Sequence, residues 1–177
     1  GGDPKAAESV QIVNAALSRS REFIEFAMPR RVASPLLCWY EPGMQYGAHA
    51  DAAILQLGSA RLRSDLSCTV FISAPSSYEG GELSVAAGNV ALPFKGAPGE
   101  AIVYPSTTLH EVVPVRQGQR LVSITFIESL KATYPYYAAR LMGGVLFLTG
   151  ALIMAWNVWK TVATSEQQVT QPVMDPA

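Results

Sequence analysis

The chain has 177 residues, 49% of them apolar and only 15% charged, with a formal net charge of −1. That length holds one domain of ordinary size plus an appendage, and the 13 Lys and Arg residues form no basic run, which excludes the electrostatic footprint of a nucleic-acid binder. Cys38 and Cys68 lie inside the apolar runs PLLCWY and LSCTVFI without a CxxC spacing, so they read as reduced, buried thiols.

The opening GGDPKAAES carries neither an initiator methionine nor a secretory-signal pattern, and a preceding N-terminal portion is expected. Asp3-Pro4 predicts an N-cap with proline at the first helical position. Val10, Val13, Leu17, Ile24 and Ala27 recur at helical spacing, so residues 1–28 form an N-terminal helical segment, broken near Ser18-Arg19-Ser20 and ended by Pro29.

From 29 to 130 the texture changes. Short apolar runs (PLLCWY, LSCTVFIS, GELSVAA, EAIVYP, EVVPV, RLVSITFIES) alternate with Pro42-Gly43, Gly80-Gly81, Gly88-Asn89, Pro98-Gly99 and Gln117-Gly118. Many short strands with no helical pattern between them predict a mainly β domain, a sandwich or barrel. Ala52 to Ser64, which breaks at Gly58-Ser59, reads as a mobile lid. Arg61 and Arg63 within it read as solvated surface charges.

Between Arg140 and Lys160 lie 19 residues without a charge. As a helix they span roughly 28 Å, close to the hydrocarbon core of a bilayer. Tyr134, Tyr136 and Tyr137 precede this stretch and Trp156 and Trp159 close it, as aromatic belts do. Residues 131–162 are therefore expected to form a transmembrane-like helix that anchors the chain through 141–159. The polar tail 163–177 is expected to be disordered.

QYGAHADAAI (45–54) sets His49 and Asp51 two apart. On a strand such residues point the same way, about 6.5–7 Å apart, and Ala50 between them faces away. The chain's other histidine, His110, stands 59 residues beyond Asp51 in VYPSTTLHEVVPV, at the start of a new apolar strand. A rolled β-sandwich brings such distant strands side by side. Two imidazoles and one carboxylate on one face make the facial triad of non-haem Fe(II) oxygenases, which leaves positions open for other ligands. Arg120 lies ten residues further on, inside a predicted strand with apolar neighbours. An inward guanidinium needs an anion, and its planar fork matches a carboxylate. Tyr40 is a candidate second donor to that carboxylate.

At these residues a family resemblance emerges. Residues 29–130 resemble the prolyl 4-hydroxylase-like branch of the Fe(II)/2-oxoglutarate dioxygenases, and within it the bacterial PKHD-type hydroxylases. The matching stretches are Tyr40-x-Pro-Gly-Met-x-Tyr-Gly-x-His49-x-Asp51, DLSCTVFIS, YEGGEL, GEAIVYPSTTLHEVVPV and GQRLVSITFIESL. The resemblance implies a double-stranded β-helix (jelly roll, cupin-like) preceded by the N-terminal helix. It implies that His49, Asp51 and His110 bind Fe(II) and that Arg120 binds 2-oxoglutarate. It also implies ascorbate as reductant, and hydroxylation of a small-molecule or peptide substrate with release of succinate and CO2. Two departures stand out: the family carries more N-terminal helix and strand than this chain, and its members continue past Ser129-Leu130 with a soluble segment.

Residues 132–162 are similar to the last transmembrane helix of the catalytic subunit of a C-family haem-copper cytochrome oxidase, although they contain no histidine to hold haem or copper. The change of character at 130–132 is abrupt, as at a gene fusion or a misassembled reading frame. Two further functions fit the residues: a non-catalytic cupin-like binding barrel, and a respiratory-oxidase fragment that carries the barrel as a passenger. For the hydroxylase, thiols and a ferrous site predict a cytoplasmic catalytic domain, held at the inner membrane by the C-terminal helix.

Overall fold

The structure, a computed structural model, describes residues 4–169, with side chains for 5–163. Two helices open the chain, α1 (Pro4–Arg19) and α2 (Arg21–Ala27). Ser20 separates them as expected. Its extended backbone ends α1, and its hydroxyl accepts from the N–H of Phe23 to cap α2. Asp3 lies outside the described residues. Met28 takes the left-handed conformation (φ 42°) and returns its N–H to the carbonyl of Ile24, so the chain turns sharply into the first strand at Pro29.

The strands follow as β1 (Pro29–Val32), β2 (Leu36–Tyr40), β3 (Tyr46–His49), β4 (Ile54–Leu57), β5 (Ala60–Arg63), β6 (Leu66–Phe71), β7 (Tyr78–Gly80), β8 (Leu83–Ala87), β9 (Val90–Phe94), β10 (Ala101–Pro105), β11 (His110–Val112), β12 (Val115–Gly118) and β13 (Arg120–Ser129). The larger sheet runs β1-β13-β6-β10, with β2 also paired to β13. The second runs β3-β11-β8-β9, and β12-β7 and β4-β5 form two-stranded ribbons. All these pairings are antiparallel. Two facing sheets with non-sequential neighbours are the double-stranded β-helix expected from the sequence.

Alternation along the strands divides the core in two. On one face of the larger sheet Cys68 and Ile127 pack with Leu17, Phe23 and Ala27 of the helices, backed by Leu66 and Val103. The opposite face meets the second sheet through Tyr104 and Ile102, which pack with Leu83, Val85 and Val112. Polar residues mark the same inner side: Ser67 and Thr69 alternate with Cys68, and both line the cavity between the sheets.

Several strands differ from their sequence runs. EVVPV divides into β11 and β12 because Pro114 has no N–H for the ladder; its carbonyl instead accepts from Gly81. VALPF tolerates Pro93 because β9 is the edge of its sheet. Residues 52–64, expected as a lid, carry the β4–β5 hairpin, turning at Gly58 (φ +62°), with Leu62 buried against the domain. Cys38, expected buried, is only half-buried on β2, whereas Cys68 is fully enclosed.

The chain divides into two compact units, the first reaching Ala132 and the second beginning at Thr133. The second holds α3 (Tyr134–Val169). α3 runs past Lys160 into residues expected to be disordered, because Ala163, Glu166, Gln167 and Gln168 are strong helix formers and no Pro or Gly intervenes before Pro172. The rest of that tail, 170–177, lies outside the described residues. Among the described residues α3 is long and apolar enough to cross a membrane, and its apolar window is unburied.

Candidate metal centre

β3 and β11 pair so that His49 and His110 are direct register partners. Their ring centroids are 4.3 Å apart at 51°. Each ring is oriented by its own backbone: Nδ1 of His49 lies 2.8 Å from the carbonyl of Gly47, and Nδ1 of His110 lies 2.9 Å from that of Thr108. A carbonyl only accepts, so both Nδ1 atoms carry a proton, and a neutral ring held this way presents the Nε2 lone pair. The two Nε2 atoms converge on one carboxylate. His49 Nε2 is 3.6 Å from Asp51 Oδ1, and His110 Nε2 is 3.7 Å from Asp51 Oδ2. One ligand atom from each residue lies within 4.8 Å of the others.

The convergence arises differently from the strand alternation expected. β3 ends at His49, and Asp51 lies beyond it in irregular backbone. What holds it is the loop before β11: the N–H of Asp51 donates to the carbonyl of Ser106 at 3.0 Å.

Behind the carboxylate stands a row of serines that the sequence reading missed. Ser67 Oγ donates to Asp51 Oδ2 at 2.5 Å. Ser67 Oγ also lies 2.8 Å from Ser106 Oγ, which lies 2.7 Å from Ser64 Oγ. All three are at most 5% exposed. A polar residue alternating with buried apolar ones in LSCTVF is the one sequence signal for Ser67; Ser64 and Ser106 give none.

The same cavity, about 280 Å³, is lined by His49, Asp51 and His110 together with Arg120, Tyr40 and Tyr104. Arg120, Val122, Ile124 and Phe126, alternate residues of β13, share its wall. Arg120 is 1% exposed, and its Nε and Nη1 have no hydrogen-bond partner among the described residues. Its register partner is Tyr40, whose ring centroid lies 4.9 Å from the guanidinium carbon. Tyr78, also missed from sequence, is buried with an unpartnered hydroxyl. Burial pushes the Tyr78 phenol up in pKa and the Arg120 charge opposes that rise. Tyr40 rises for the same first reason, with the Cys38 sulfur adding to it and Arg120 opposing. Gly81 lets the arginine stem through: a Cβ there would lie 2.9 Å from Val115 Cγ2 and 3.0 Å from Arg120 Cδ.

These residues fit the groups the resemblance implies. Two neutral imidazoles and a carboxylate form a donor set suited to ferrous iron. A buried guanidinium with two unpartnered N–H groups demands an anion such as a keto acid's carboxylate.

Known proteins point the same way. The family model described as the 2OG-Fe(II) oxygenase superfamily matches residues 36–128. A PKHD-type hydroxylase of Sphingopyxis alaskensis is 56% identical over 122 residues, covering 69% of this chain and 56% of that protein. One from Paraburkholderia phytofirmans is 41% identical over 128 residues, covering 72% and 56%. The chain thus spans about half the length of the curated relatives it matches. Among solved structures, a Pseudomonas putida prolyl-4-hydroxylase superposes with TM-score 0.54 at 22% identity, covering 72% of this chain and 71% of that one. A 2OG-Fe(II) oxygenase family oxidoreductase of Burkholderia pseudomallei superposes with TM-score 0.52 at 21% identity, covering 67% and 56%. The two structural likenesses speak to the fold alone. The family match ends at residue 128, and the likeness of 132–162 to an oxidase helix gains no support from it.

Proposed function

This chain belongs to the 2OG-Fe(II) oxygenase superfamily, and from that membership we propose that it is an Fe(II)- and 2-oxoglutarate-dependent hydroxylase of a small-molecule or peptide substrate, sustained by ascorbate. One observation carries the reading: the unpartnered nitrogens of Arg120 belong to the same cavity as the converging His49, Asp51 and His110. Those three residues would hold the iron. Iron with 2-oxoglutarate and dioxygen supplies the oxidising chemistry, in which the keto acid becomes succinate and CO2 as an oxygen atom enters the substrate.

The protein's own part is positioning. The Gly47 and Thr108 carbonyls fix the ligating face of each imidazole. Arg120, with Tyr40 beside it, anchors the far carboxylate of the keto acid. Each charge-assisted hydrogen bond there contributes about 1.5–3 kcal/mol, more than a neutral one, because the guanidinium is already desolvated. Leu83, Val112 and Val122 line the rest of the cavity and exclude water from it.

The experiment is succinate formation from 2-oxoglutarate by the purified chain with Fe(II) and ascorbate. Iron-dependent succinate supports the reading. Iron binding without turnover would instead favour the non-catalytic cupin-like barrel.

The helix carries a separate proposal, that residues 141–159 anchor the chain in the inner membrane with the β-domain on the cytoplasmic side. Its support is the uncharged stretch, the flanking Tyr and Trp residues, and the placement of Lys131 and Arg140 before the span with only Lys160 close behind it. The oxidase-like character of residues 132–162 enters only as a spanning helix, since they hold no histidine.

A further inference from the structure

The serines behind Asp51 have a hydrogen order that follows from counting. Asp51 as a ligand is a carboxylate and only accepts, so the single hydrogen of Ser67 goes to Asp51 Oδ2. Ser67 then has none left for Ser106, so Ser106 donates to Ser67. Ser106 in turn has none for Ser64, so Ser64 donates to Ser106. Every hydrogen in the row points toward the carboxylate. Such a chain polarises each successive bond in one direction. It starts at the foot of the β4–β5 hairpin, where the N–H of Ser64 bonds the Ala53 carbonyl at 2.9 Å.

We propose that Ser64, Ser106 and Ser67 form a one-way hydroxyl relay that holds Asp51 as a single-oxygen metal ligand, with Ser67 and Ser106 as positioning residues. The proposal rests on reading the site as a metal centre. Each carboxylate oxygen faces one imidazole, Oδ1 that of His49 at 3.6 Å and Oδ2 that of His110 at 3.7 Å, but Ser67 donates to Oδ2 alone, which leaves Oδ1 as the free donor to the metal. Without the Ser67 hydroxyl, nothing in the row resists rotation of the carboxylate toward two-oxygen binding, and Oδ2 loses its buried donor. The main-chain bond from Asp51 N–H to Ser106 survives any of these side-chain changes, so the loop stays in place.

The test is Mn(II) affinity of the full-length chain in detergent, read from the free-ion paramagnetic signal, with the d–d spectrum of the Co(II) form as a second readout. Ser67→Ala should weaken Mn(II) by about 10- to 100-fold, the usual effect of removing an outer-shell partner, and should alter the Co(II) spectrum. Ser67→Thr, which keeps the hydroxyl, should restore both. Ser106→Ala should weaken Mn(II) less than Ser67→Ala. The double variant should bind no more weakly than Ser67→Ala, because the relay reaches the ligand only through Ser67. Wild-type Mn(II) binding by Ser67→Ala, or losses that simply multiply in the double variant, would overturn the relay. If metal-free Ser67→Ala melts well below wild type, Ser67→Thr decides the matter: binding restored supports the relay, binding still weak overturns it. Absence of Mn(II) binding by the wild-type chain is a different result and removes the metal centre itself.

Discussion

His49 and His110 are register partners across a single antiparallel strand pair, 61 positions apart in sequence and 4.3 Å apart between ring centroids. Their spacing is therefore a property of the β3–β11 ladder. Only Asp51 depends on a loop, and that loop is clamped from β6 and from the turn before β11.

Replacement of either His49 or Asp51 by alanine is expected to abolish iron-dependent 2-oxoglutarate turnover. Two remaining ligands do not retain a labile divalent ion. Wild-type-like succinate formation by either variant would sink the triad.

Arg120→Met should separate the cost of a buried charge from its use. The methionine fills much of the same stem without the two unpartnered N–H groups, so the apo protein should melt at or above wild type. The stabilisation that 2-oxoglutarate gives the Mn(II)-loaded protein should disappear, while Mn(II) affinity stays within a few-fold. Equal loss of both affinities would mean that Arg120 acts on folding instead.

Gly81→Ala and Gly88→Ala form a matched pair. Both glycines have positive φ, +66° and +64°, so each variant bears about 1–2 kcal/mol of backbone strain. At Gly88 a methyl meets nothing within 4 Å, whereas at Gly81 it meets Val115 and Arg120. Gly81→Ala should lose about 1–3 kcal/mol more in denaturant unfolding and should weaken 2-oxoglutarate binding. Equal losses would refute the packing argument.

Alkaline pH should unfold the first unit early. Burial pushes the Cys68 thiol up to about 12, from 9.0 in the unfolded chain. A raised pKa means that the fold keeps its proton while the unfolded chain releases it. The contribution is complete below pH 9 and falls between 9 and 12, by about 1.4 kcal/mol per unit for one group. The buried Tyr104 phenol, also raised by burial, acts in the same direction. Denaturant midpoints at pH 8, 10 and 11 check this, and Cys68→Ala should flatten the slope. An unchanged midpoint up to pH 11 would contradict it.

Truncation after Ala132 should release a detergent-free protein that still binds Mn(II), since every site residue precedes the cut. Keeping Lys131 matters: its N–H donates to Ser129 Oγ and its Nζ to the Phe26 carbonyl. Full-length protein soluble without detergent would remove the membrane anchor.

The inward arginine, most of the sheet strands and the break at Ser20 were legible because each rests on a local pattern: apolar neighbours or a turn signal. The convergence of His49, Asp51 and His110 was expected, but by strand alternation, whereas Asp51 lies past the end of β3 and is held by a loop. β3 was legible only in part: a strand was expected to carry both His49 and Asp51, but it ends at His49, and Gly47 and Ala48, poor strand formers, are held in it by β11. The serine row was invisible for a related reason. Its members come from three separate segments, and a hydroxyl gains meaning only from its neighbours in space. Tyr78 belongs to the same class, since burial without a partner is not written in any spacing.

β13 is the last strand of the domain in chain order, yet it lies at the centre of the larger sheet, with β6 on one side and β1 and β2 end to end on the other. During synthesis β1 and β2 therefore wait for residues 120–129, and β6 has only β10 beside it until they arrive. The long separation of these pairings makes closure a late and slow event. α3 begins five residues after β13 ends, so with α3 as the proposed membrane anchor the final pairing of the sheet would fall close in time to insertion of the helix.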